Sequence, residues 1–169
     1  GYRSMDLVGS TMKGLKNLVW LLGLQFSFSC ADSSTTLSIA TGGPAGLYYP
    51  IGGGMASIWS AHVPGINVRA EVTGGSVSNV IQVARGESDL GIAMADVISD
   101  AYKGEGLFPE SLPLRVLLSA YPNVIHVVTV EKTNISSISD LAGKRVSLGA
   151  QGSGTAVAAQ NILSGLGSV

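Results

Sequence analysis

From Thr35 to Leu163 the hydrophobic period alternates between two and about 3.6 residues, and glycine clusters stand where strand-like runs give way to helical ones. Thr36–Thr41 alternates polar and apolar as a half-buried strand does. Glycines 42, 43 and 46 turn the chain into a helix over Tyr48–His62, with Met55, Ile58 and Trp59 on one face, which Pro64-Gly65 stops. Ile66–Val72 alternates again. Gly74-Gly75 leads into a helix expected to be capped by Ser76 and ended by Arg85-Gly86. Asp89–Met94 is nearly continuous apolar sequence, as a strand buried on both faces would be. A helix over Asp96–Lys103 and a loop over Pro109–Pro113 follow. Further strands are expected at Leu114–Ala120, Val124–Val130 and Arg145–Gly149, with one helical turn at Ser137–Ala142 and a last helix from Ala156 to Leu163 after Gly152-Ser153-Gly154-Thr155.

Such alternation predicts an α/β fold with a mainly parallel sheet, whose ligands bind beyond the carboxyl ends of the strands. The glycine turns at 42–46, 74–75 and 152–154 are all expected at that end. Each leads into a helix N-terminus, where N–H groups lack intrahelical partners and the dipole is positive. With the hydroxyls of Thr41, Thr73, Ser76, Ser153 and Thr155 beside them, these turns suit an anion such as a carboxylate. Hydroxyl-capped tight turns would account for the same residue types. The composition permits a packed core: of 169 residues, 46% are hydrophobic and 12% charged, with net charge −1 and no basic block, which argues against nucleic-acid binding.

Catalytic chemistry has little to stand on. Gly149–Thr155 lacks the lysine of a nucleotide phosphate loop, Gly42–Gly46 misses the dinucleotide spacing, and no Gly-x-Ser-x-Gly surrounds Ser76 or Ser153. Of the two histidines, His62 reads as a helix-end residue and His126 as a core histidine within an apolar strand. Metal-ligand spacing is missing, and no cofactor is expected. Asp96 suits either a helix cap or a partner for a ligand ammonium; Tyr48 and Tyr49 suit either the core or an amphipathic pocket wall. The composition favours a binder over an enzyme.

The N-terminal segment has the order of a secretory signal: Lys13 and Lys16, an apolar stretch from Asn17 to Phe28, then small residues to Ala31. That stretch falls short of the ~20 residues a membrane span needs. Residues 1–31 are therefore expected to be a signal peptide with an upstream extension, and the protein to be periplasmic or otherwise extracytoplasmic. Cys30, the single cysteine, is a candidate lipidation site at the cleavage point. Removing residues 1–31 takes Arg3, Lys13, Lys16 and Asp6 from 10 basic and 11 acidic side chains, leaving a mildly acidic 7 and 10.

Five segments together resemble the TAXI family of TRAP-transporter solute receptors: Ser38–Gly53, Thr73–Asn79, Gly86–Leu90, Leu141–Val146 and Gly152–Thr155. The resemblance runs over 35–166 in order and spacing. It implies a periplasmic-binding-protein fold of type II, with two α/β lobes about a cleft. Residues 32–130 would form the first lobe, and 131–169 the crossover and a second lobe only begun, since such receptors run to roughly twice this length (two ordinary domains). The implied function is capture of a small organic anion or amino acid, glutamate among them, for delivery to the membrane subunits of a TRAP transporter. A sensory module of the same fold is the alternative. By this similarity Thr41, Gly42, Gly43, Gly46, Tyr48, Gly75, Ser76, Gly152, Ser153, Gly154 and Thr155 would line the cleft. Met94-Ala95 departs from the polar pair common before the aspartate that Asp96 matches.

Overall fold

The computed structural model describes residues 34–165; the expected signal segment, Cys30 and the last four residues lie outside them. Three parallel strands form the sheet in the order β2-β1-β3: β1 (Thr35–Ala40), β2 (Ile66–Glu71) and β3 (Leu90–Gly91). β1 is central, running in register with β2 from Thr35 opposite Ile66 to Ala40 opposite Glu71, and meeting β3 at Ile39–Leu90 and Ala40–Gly91. Parallel neighbours need long crossovers, and α1 (Tyr48–His62) and α2 (Ser76–Arg85) supply them. α3 (Ala95–Lys103) and α4 (Gly154–Gly165) complete the α-helices of the described residues. The α/β class and the parallel sheet are as expected.

Small residues set how α1 packs. Gly52 and Ala56 are its buried positions, and Gly52 rides directly over the methyl of Thr41 at the end of β1. Met55 and Trp59 close over Ile39 and Val68, whereas Ile58, expected on the same face, is 60% exposed. The Ser60 hydroxyl accepts the Val68 N–H at 2.8 Å, tying α1 to β2. A second apolar cluster joins α2, α3 and the segment after them through Val80, Val97, Ala101, Phe108 and Leu114. β3 is held beside β1 by a reciprocal pair: the Ser38 N–H donates to the Asp89 carboxylate at 2.8 Å, and the Asp89 N–H donates to the Ser38 hydroxyl at 3.2 Å.

Several expectations are corrected. β3 is a two-residue strand with an exposed Gly91, not a strand buried on both faces, because it pairs with β1 alone. Leu114–Ala120, Val124–Val130 and Arg145–Gly149 form no strands. A strand requires a neighbouring backbone to exchange hydrogen bonds, and these runs have none; Val116, Leu117, Val124 and Val128 are consequently exposed, the last by 86%. His126 is exposed with them and is no core histidine. α3 begins at Ala95, one residue early, and α4 at Gly154, two residues early. The turn expected at Ser137–Ala142 is a 3-10 turn at Ile138–Leu141, closed by a capping box between Ser137 and Asp140. N–H groups of Ser136 and Ser137, then their hydroxyls, hold the Asp140 carboxyl down at about 2.

Candidate functional site

The carboxyl ends of the three strands meet at one side chain, Asn79 of α2. It is wholly buried. Its amide donates to the Thr41 carbonyl after β1 and the Ile92 carbonyl after β3, both at 2.6 Å, and its oxygen accepts the Thr73 hydroxyl after β2 at 2.5 Å. A buried amide with an orphan donor is costly; here both donors and the acceptor are used. α2 carries Asn79 one turn from its start, so the helix N-terminus and all three strand ends are fixed to each other. Sequence reading singled out Thr73 and the loops but not Asn79 itself. Its helical phase was the available signal, since Ser76, Asn79, Val80 and Val83 share one face.

The expected site residues divide around this hub. Thr41 is fully buried, and its hydroxyl and N–H both donate to the Glu71 carbonyl, at 2.6 and 3.0 Å. Gly42 is buried and accepts the Thr73 N–H at 3.4 Å. Gly43 and Gly46 are exposed and close a turn, Gly46 N–H to Gly43 carbonyl at 2.9 Å. Beyond them α1 starts at Tyr48, and the Tyr48 and Tyr49 N–H groups have no intrahelical acceptor.

Ser76 does not cap α2. Gly75 occupies the cap position at φ +110°, a conformation for which glycine is suited, and the Ser76 hydroxyl turns away to accept the Met94 N–H at 3.1 Å. The second and third glycine loops touch. The Gly152 carbonyl accepts the Val77 and Ser78 N–H groups at 3.0 and 3.4 Å, filling the start of α2 from outside. Ser153 is the helix cap that the 152–155 sequence suggested, its hydroxyl accepting the Ala156 N–H at 3.1 Å. Gly154 is buried against Met94 and Ser76, while Thr155 is exposed. The third loop thus lies at a helix start without a preceding strand, since 145–149 forms none.

Tyr48 and Asp96 line a cavity of about 610 Å³ between β3 and residues 114–123, which Asn79 borders as well. Asp96 is exposed in the second position of α3 and accepts the Val97 N–H at 2.8 Å, so it neither caps the helix nor meets the glycine loops. The Tyr48 hydroxyl accepts from the Asn123 amide at 3.4 Å. Burial first, and then the nearby Tyr48 phenol, push the Tyr121 hydroxyl above its ordinary 10.0, so the Tyr121 phenol stays neutral at physiological pH. Among the described residues no three His, Cys, Asp or Glu side chains gather as a metal site would require. The arrangement offers backbone donors, hydroxyls and aromatic walls.

A family model described as the NMT1-like family matches residues 39–169, and the chain belongs to that family, a periplasmic-binding-protein-like family related to solute receptors.

Proposed function

We propose that this NMT1-like chain is a solute receptor of the TAXI kind that captures a small carboxylate or amino acid, glutamate-like in size and charge, for a TRAP-type secondary transporter. The observation that carries this reading is the convergence of three strand ends on Asn79 together with the contact of the Gly152 carbonyl on Val77 and Ser78, which brings the starts of α2 and α4 together at the carboxyl edge of a parallel sheet. Ligands of open α/β sheets bind at that edge. Helix starts there favour anions without any fixed cation.

Not every loop is free to take part. The hydroxyls of Thr41 and Ser76 are spent on Glu71 and Met94, so on this reading they shape the site rather than touch the ligand. The Tyr48 and Tyr49 N–H groups at the start of α1, the Gly43–Gly46 turn and the exposed Thr155 are the groups we assign to the ligand. Residues 32–130 would serve as the first lobe, and 131–169 as the crossover and the beginning of the second. The charge order before Ala31 supports export, with Cys30 as a lipid anchor if it is cleaved there. Mass analysis of the mature N-terminus tests export and lipidation.

Thermal shift tests the receptor reading. L-glutamate, succinate and acetate are titrated against the full chain, with glucose as an uncharged control. Binding of the folded state raises Tm with ligand concentration, so a carboxylate-specific rise is expected. A flat response to every carboxylate and amino acid would sink the proposal.

A further inference from the structure

We infer that residues 149–154 are a latch that carries its own blocking group, the Gly152 carbonyl, and keeps the start of α2 shut until the latch swings away. The N–H groups of Val77 and Ser78 are the donors that a helix start leaves for an outside acceptor. In this structure both point at Gly152. A carbonyl oxygen with two lone pairs can take both bonds, so the pair is satisfied by a neutral group of the chain itself.

The fit around that carbonyl is made by small residues. A Cβ on Gly75 would stand 3.2 Å from the Cα of Ser153, so the two backbones lie in direct contact. A Cβ on Gly154 would fall 2.5 Å from the Met94 sulfur and 2.6 Å from the Ser76 hydroxyl, and one on Gly152 would fall 2.7 Å from the Ser78 hydroxyl. Ser76 is pinned in turn by the Met94 N–H. Among the described residues neither an ion pair nor a large buried side chain crosses this contact. It is a close contact of backbone and small residues, which is what separates a latch from a core. Val157, packed on the Val80 cluster one turn into α4, anchors the segment when the loop lifts.

The consequence for binding rests on the receptor reading: the donors of α2 become available to a ligand only in the open form, so the closed form pays a conformational tax on affinity. The latch itself is testable without ligand. Amide hydrogen exchange in the full chain reads it residue by residue. Asn79 is the internal control, because its N–H bonds the Gly75 carbonyl within α2. In the wild type, Val77 and Ser78 should exchange together and faster than Asn79, yet slower than a free amide. Gly154→Ala drives a methyl into Met94 and Ser76 without asking for a left-handed backbone, and should speed Val77 and Ser78 at least tenfold with Asn79 unchanged. Gly152→Ala should do the same from the other side.

Equal protection of all three amides in the wild type, or variants in which Val77 and Ser78 keep their rates, would overturn the latch. A variant that failed to fold would expose Asn79 too, and the wild-type comparison would then decide. L-glutamate and succinate titrations of the wild type and Gly154→Ala separate the two proposals. Tighter binding by the variant supports the brake, and equal affinities overturn it. If neither protein responds to either compound, the receptor reading fails while the exchange rates still settle the latch.

Discussion

Three consecutive glycines in α1 allow the packing of that helix to be measured by sign as well as size. Gly52, Gly53 and Gly54 share one helix and carry no left-handed φ. Replacing a helical glycine by alanine gains about 0.8–1 kcal/mol from backbone entropy and propensity. A Cβ on Gly53 or Gly54 would meet nothing within 4 Å. Each of Gly53→Ala and Gly54→Ala should therefore stabilise by about 1 kcal/mol, raising Tm by roughly 4 °C for a domain of this size. A Cβ on Gly52 would collide with the Thr41 methyl. Thr41 has nowhere to go, being fully buried with its hydroxyl and N–H on Glu71 and its carbonyl on Asn79. Overpacking of such a contact costs about 1–3 kcal/mol, so Gly52→Ala should fall about 1–3 kcal/mol below Gly53→Ala and be neutral to destabilising. Urea unfolding of the three single variants with a common m-value is the assay. If Gly52→Ala were as stabilising as its neighbours, α1 would not bear on Thr41 and the account of how β1 ends would be wrong.

Asn79→Leu keeps the branching at Cγ but deletes three hydrogen bonds, and should cost about 3–5 kcal/mol in chemical denaturation. Asn79→Asp tests the same hub through pH: a carboxylate there would face the Thr41 and Ile92 carbonyls, so its folded pKa would rise above the unfolded value of about 3.9. Stability would be fullest below that value and fall as pH rises, by up to about 1.4 kcal/mol per unit, and a pH-independent loss would contradict the geometry. Asp140 has the opposite sign. Its folded value of about 2 lies below the ordinary 3.8, so its contribution is complete above pH 3.8 and disappears as pH falls through about 2; a carboxyl NMR titration with a midpoint near 3.8 would refute the capping box. Ser153→Ala should weaken the start of α4 by about 1 kcal/mol and remove protection from the Ala156 amide, and unchanged exchange at Ala156 would argue against the cap.

Where local rules decide structure, the chain was readable. β1, α1, β2 and α2 fall at or within a residue of where periodicity and glycine turns put them, because each is bounded by residues that act locally, such as Pro64-Gly65 and Gly86. Failures came where a partner decides. Leu114–Ala120 and Val124–Val130 are mostly apolar runs of strand length, but apolar content does not supply the neighbouring backbone that a strand must pair with. Ile58 misled for a different reason: the packing surface of α1 is Gly52 and Ala56, residues too small to raise a hydrophobic stripe. At the site, three hydroxyls looked equivalent in sequence. Ser153 caps its own helix, Ser76 bonds Met94 across the fold, and Thr41 bonds Glu71, and only the first of these is a local choice. Asn79 was hidden by its type, since an asparagine in an amphipathic helix reads as solvent-facing.

The Asn79 hub also bears on how the domain folds. Its two carbonyl partners lie 38 residues before it and 13 after it. A chain in which β1, β2 and α2 had docked but β3 had not would bury one arm of the amide unpaired. That species is disfavoured by the same group that stabilises the finished one, so a partly built sheet gains little until its last strand arrives. A single polar side chain thereby links three strands and their two crossovers into one all-or-none transition, and its removal should broaden the unfolding curve as well as shift it.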